Sequence, residues 1–127
     1  MATILVVEDD PALRTVWQHA LNTHGFSVVL AKHGRQALTV LDNLLPDLVI
    51  TDLTMPWMSG PQLIQAMQDD PRLAPIPVLC ITGDAWATHP TGYPILEKPF
   101  PVAELIDNVR AIVGGATERH AGGSSRS

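Results

Sequence analysis

Short β-branched apolar runs alternate along the chain with stretches whose apolar residues recur at helical spacing. That alternation predicts a parallel sheet wrapped by crossover helices. The predicted strands cover 4–7, 26–30, 48–51, 78–81 and 95–96, and several are apolar at consecutive positions, as strands buried on both faces should be. The first helix is the best marked. Asp10 is placed to cap it, Pro11 suits its first position, Leu13, Val16, Trp17, Ala20 and Leu21 form an apolar face, and Gly25 ends it. Ala37, Leu38, Leu41 and Leu44 predict a second helix, Leu63, Ile64 and Met67 a third, and Val102, Leu105, Ile106, Val109 and Ile112 a final one.

One crossover breaks the pattern. Between Thr82 and Lys98 the prolines Pro90 and Pro94 and the glycine Gly92 leave room for about one helical turn. A fourth crossover helix is therefore expected to be shortened or missing. Beyond Val113 the chain is rich in Gly, Ser and Ala and loses its periodicity, so residues 1–113 are expected to form one domain and 114–127 a flexible tail.

Length and charge narrow the function. A chain of 127 residues can bury roughly two-thirds of its unfolded surface in a single core. Eight Lys and Arg against thirteen Asp and Glu give a net charge of -5, with no basic stripe, which argues against direct nucleic-acid binding. No apolar run is long enough to span a bilayer and the N-terminus lacks a signal-peptide pattern, so a cytoplasmic protein is expected. The lone cysteine, Cys80, lies in an apolar run and reads as a small buried hydrophobe. The five histidines show no ligand spacing, which disfavours a zinc site.

The candidate chemistry lies at the strand ends, where open parallel sheets bind ligands. Glu8 and Asp9 follow the first strand and Asp52 closes the third, so neighbouring strands would bring these acids into one crevice. Two carboxylates about 4 Å apart repel by about 4 kcal/mol at a surface-like dielectric. A hard cation such as Mg²⁺, which keeps several waters beside a phosphate, would offset that repulsion. Each acid taken alone serves equally well as a solvated turn residue or a helix cap. Thr82 after the fourth strand and Lys98 after the fifth add a hydroxyl and an ammonium to the same rim. An Asp that accepts a phosphoryl group needs such a set: a metal for the phosphoryl oxygens and fixed donors for developing charge.

The strings Ile4-Leu5-Val6-Val7-Glu8-Asp9-Asp10, Pro46-Asp47-Leu48-Val49-Ile50-Thr51-Asp52-Leu53-Thr54-Met55-Pro56, Val78-Leu79-Cys80-Ile81-Thr82-Gly83 and Lys98-Pro99-Phe100 resemble the response-regulator receiver domains of two-component signalling, the CheY-like family. The resemblance runs from about Thr3 to Val113 and each motif ends a predicted strand. It implies a flavodoxin-like α/β fold, a doubly wound five-stranded parallel sheet of order 2-1-3-4-5. It further implies that Asp52 accepts a phosphoryl group from a phosphohistidine of a sensor or hybrid kinase. Glu8, Asp9, Asp52 and the backbone carbonyl of Thr54 would then organise Mg²⁺, with Asp9 a direct ligand. Lys98 would pair with phosphoryl oxygens, Thr82 would be the switch hydroxyl, and Lys98-Pro99 would be a cis peptide. The output would be altered partner binding or relay of the phosphate, for which a phosphotransfer protein is a fitting partner; a homodimer is also compatible.

The chain departs from the pattern in three places. Glu8 stands where Asp is more usual, Ile95 stands where many receivers carry a switch aromatic, and Tyr93 lies nearby in another register. The shortened crossover would also reduce the usual partner surface. Two rivals follow: a degenerate receiver that binds partners without phosphorylation, and an aspartate-nucleophile phosphohydrolase. The second fits poorly, because the general acid expected two residues after the nucleophile is here Thr54. Trp17 reads as core; Trp57 near Asp52 and Trp86 in the short crossover have no role that the sequence decides, and Met55 and Met58 read as packing residues.

Overall fold

The computed structural model describes residues 2–53, 60–83 and 93–120, with Gly60 and residues 115–120 described by backbone alone. The elements in chain order are β1 (Thr3–Val7), α1 (Pro11–Thr23), β2 (Ser27–Ala31), α2 (Gly34–Leu41), β3 (Leu48–Asp52), α3 (Gly60–Gln68), β4 (Val78–Thr82), β5 (Ile95–Glu97) and α4 (Val102–His120). The strands form one parallel sheet of order β2-β1-β3-β4-β5. This is the predicted order. The stretch 84–92, where a shortened fourth crossover helix was expected, lies outside the described residues.

Alternation along each strand sends neighbouring side chains to opposite faces. Leu5, Val7, Val49 and Cys80 pack with Ala37, Leu41, Leu63 and Met67 of α2 and α3. Ile4, Val6, Ile50, Leu79 and Ile81 pack on the other face with Trp17 and Leu21 of α1 and Leu105 and Val109 of α4. Two covered faces explain why β3 and β4 are buried at every position. Cys80 is buried as expected.

Local chemistry sets the element ends. The Asp10 carboxylate accepts from the backbone N–H groups of Ala12 (2.8 Å) and Leu13 (3.4 Å), capping α1 just before Pro11. At the other end Gly25 adopts φ 90°, the Phe26 N–H reaches the Leu21 carbonyl (3.0 Å), and the Gly25 N–H reaches the Asn22 carbonyl (3.1 Å). Those two bonds are the Schellman arrangement, in which a residue with a left-handed backbone satisfies the last helical carbonyls. Phe26 is thus consumed in the cap, and β2 begins at Ser27 instead of at Phe26.

Other sequence expectations need correcting. Val16 is not part of the core face of α1; it is 47% exposed, because Leu13, Trp17 and Leu21, spaced four apart, already fill the stripe that meets the sheet. Leu44 lies beyond α2, which ends at Leu41, where the Asp42 N–H is shared between the Leu38 and Thr39 carbonyls and the Asn43 N–H bonds to Val40 in a tightened last turn. The final helix runs on past Val113 to His120. Once Leu105, Ile106 and Val109 anchor a helix on the sheet, each added residue extends it without a new nucleation cost.

A Cβ at Gly25 would meet no atom within 4 Å, so the need for glycine there is a matter of backbone angle alone. Gly25→Ala is expected to lower unfolding free energy by about 1–2 kcal/mol, and Gly25→Asn by less; urea denaturation of the two variants checks both.

Candidate functional site

The strands bring their carboxyl ends to one edge. Val7 registers with Thr51, so Glu8 and Asp52 follow side by side on β1 and β3. Asp52 registers with Ile81, which places Thr82 one step further on β4, and Thr82 registers with Glu97, the residue before Lys98. Backbone bonds lock these ends together: Glu8 N–H to Ala31 (3.1 Å), Leu53 N–H to Ile81 (2.7 Å) and Lys98 N–H to Thr82 (2.8 Å).

Glu8, Asp9 and Asp52 each present a carboxylate oxygen within 4.8 Å of the others. Glu8 is fully buried and Asp52 nearly so, while Asp9 is exposed. Lys98 reaches in from the end of β5, and its ammonium donates to Asp52 Oδ2 at 2.7 Å and to Glu8 Oε1 at 3.2 Å. The Lys98-Pro99 peptide is cis, as the motif implied. Thr82 is buried at the end of β4.

The electrostatics follow from burial. The Glu8 carboxyl is pushed up to about 7, chiefly because its charge has lost water; the nearby Asp52 charge and a hydrogen bond with Asp9 add to the rise. The Asp10 N–H on Glu8 Oε2 (3.0 Å) and the Lys98 ammonium act against it without prevailing. For Lys98 burial opposes the charge, but the hydrogen bond and charge of Asp52, with Glu8 behind them, prevail and raise its pKa. Lys98 thus stays an ammonium while Glu8 titrates near neutrality.

Two neighbours complete the site. Arg14 on α1 donates through Nη1 to the carbonyls of Glu8 (2.8 Å) and Asp9 (3.2 Å), holding the acidic loop by its backbone. Trp17, one turn further, lies with its ring centroid 5.8 Å from Lys98 Nζ and 5.7 Å from the Phe100 ring, stacked at 22°. The sequence placed Trp17 in the core, where it is, but gave no sign of either contact; Arg14 was missed as well. An Arg and a Trp on the first turns after the acidic loop were the available signals. Thr54, Met55, Trp57, Met58 and Trp86 lie outside the described residues.

The response regulator receiver domain family matches residues 4–110. The chain belongs to that family. The receiver is 33% identical over 131 residues to the response regulator MprA of Mycolicibacterium vanbaalenii, covering 96% of this chain and 54% of that protein. It therefore spans about half the length of that curated relative. Among solved structures it resembles the signal receiver domain of a signal transduction histidine kinase from Syntrophus aciditrophicus, with TM-score 0.82 and 29% identity over 91% of this chain and 92% of that one. The receiver domain of sensor histidine kinase PA1611 from Pseudomonas aeruginosa PAO1, which carries a magnesium ion in its active-site cleft, gives TM-score 0.83 and 26% identity over 89% and 98%. This chain is accordingly a receiver domain of two-component signalling, a signalling family and not generally an enzyme one. No described helix is long and apolar enough to cross a membrane.

A carboxyl whose pKa is raised on folding stabilises the fold below its unfolded value and loses that contribution as pH rises through its folded value. In metal-free receiver the Glu8 contribution is present below about pH 4.5 and is lost by about pH 7, a change of about 3 kcal/mol. Glu8→Gln is expected to flatten the fall in stability between those pH values, read by urea unfolding in the presence of a chelator.

Proposed function

We propose that the receiver takes a phosphoryl group on Asp52 from a phosphohistidine of a sensor or hybrid kinase. One observation carries this reading: the Lys98 ammonium bridges Asp52 and Glu8 inside a cluster of three convergent carboxylates at the carboxyl edge of the sheet. An Asp52 oxygen attacks phosphorus, the phosphorus–nitrogen bond to the histidine breaks, and an acyl phosphate forms. Lys98 stands within reach of the developing charge on the phosphoryl oxygens, and it needs no large movement to do so. Thr82, buried at the adjoining strand end, supplies the hydroxyl that turns toward the new group.

The donor set fits Mg²⁺. Carboxylate oxygens are the hard ligands that ion prefers, and their mutual repulsion leaves the cluster in need of positive charge. Asp9 and Asp52 would hold it directly, with the backbone carbonyl of Thr54 as a further ligand. Glu8 would act through water, since Oε1 already accepts from Lys98 and Oε2 from the Asp10 N–H. When bound, Mg²⁺ neutralises the phosphoryl oxygens.

Phosphorylation adds roughly -1.5 to -2 charges and three acceptor oxygens. Lys98 and Thr82 must then rearrange around them. We place the signalling unit at 1–113, with 114–127 as a C-terminal tail. The change would be read by altered partner binding or by onward transfer to a phosphotransfer protein, in the cytoplasm and without direct contact to nucleic acid.

Incubation with acetyl phosphate and Mg²⁺ is expected to add the mass of one phosphoryl group. That adduct should vanish with Asp52→Asn or a chelator, and Lys98→Ala should slow its formation on the order of a hundredfold. Intact mass spectrometry over time measures all three; an adduct that survives Asp52→Asn would overturn the assignment.

A further inference from the structure

We propose that Trp17 is a positioning residue for Lys98, its indole face holding the ammonium at the depth where it meets Asp52. The proposal deepens the phosphoacceptor reading and rests on it for its functional consequence.

Burial alone does not call for an indole here. Leu13 and Leu21, one turn to either side on the same stripe of α1, pack against the same face of the sheet as aliphatic residues. Trp17 instead brings a ring to the lysine. Lys98 Nζ lies 5.8 Å from its centroid, inside the roughly 6 Å over which a cation is drawn to an aromatic face, and Trp is the strongest such partner. The Lys98 side chain keeps only a quarter of its surface exposed, so little water competes for the ammonium.

The ring is itself held. Phe100, two residues after Lys98, stacks on it with centroids 5.7 Å apart and an interplanar angle of 22°. The segment leaving β5 therefore touches the indole twice, with an ammonium and with a ring. A lysine stem has four rotatable carbons and considerable freedom to lose. Asp52 and Glu8 attract its head, but both are carboxylates that a metal and a phosphoryl group would also engage. Among the described residues, Trp17 is a contact of the Lys98 ammonium whose charge does not change during the reaction. It keeps the ammonium at the reacting edge when the carboxylates change partners.

The test uses the full chain carrying Trp57→Phe and Trp86→Phe, so that Trp17 is its one indole. Lys98→Met in this background is expected to shift Trp17 emission without any phosphodonor. With acetyl phosphate and Mg²⁺, Trp17→Leu is expected to slow adduct formation at Asp52 severalfold, and Trp17→Phe, which keeps an aromatic face, to recover most of the rate. A structural role alone would leave emission indifferent to Lys98. Emission unmoved by Lys98→Met, or equal rates for Trp17→Leu and Trp17→Phe, overturns the proposal. Absence of any adduct in the unsubstituted protein overturns the phosphoacceptor reading instead, while the emission comparison still decides whether the indole holds the ammonium.

Discussion

The structure depends on a single ammonium placed among buried acids. Glu8 has no exposed surface and Asp52 almost none, yet both lie within hydrogen-bond reach of Lys98. Moving a carboxylate out of water costs several kcal/mol even after the protein relaxes around it. The ammonium does not offset that cost for Glu8, whose pKa rises to about 7. Three carboxylates facing one ammonium leave two negative charges when all are ionised. The site is therefore poised to take up positive charge, first a proton on Glu8 and then a divalent ion, which carries twice the charge.

The sheet makes that crowding tolerable. Parallel strands end at one edge, and the order β2-β1-β3-β4-β5 sets β1 beside β3 and β5 beyond β4. Both faces of the sheet are packed, so the strand ends cannot drift apart to relieve the repulsion. Around them the first helix contributes three side chains of different kinds. Asp10 caps it, Arg14 grips the carbonyls of Glu8 and Asp9, and Trp17 meets Lys98. A helix that begins at the acidic loop thus holds the loop's backbone and the lysine opposite, while its other apolar residues belong to the core.

Much of this was legible because it is local. The N-cap at Asp10, the break at Gly25 and the β-branched runs follow from the chemistry of neighbours in sequence, and the structure has each there, with β2 shifted by one residue. The three acids and Lys98 were also legible, since each stands at the end of a strand and parallel strands share an edge. Periodicity failed where packing decides. Val16 is apolar and on nearly the right side of α1, but only contact with the sheet says which apolar residues are inside. Leu44 fits a helical spacing that a tightened turn had already ended, and α4 runs on through glycines because it is anchored further back.

The chain alone determined which chemistry was available: carboxylates, a hydroxyl and an ammonium at strand ends, in an order shared with a family of signalling domains. Tertiary structure decided their state. Protonation of Glu8 depends on how completely water is excluded, and the place of Lys98 depends on Asp52, Glu8 and the ring of Trp17, residues 46 to 90 positions away. Charge and burial act through space, and distance in space is the quantity a linear pattern does not carry.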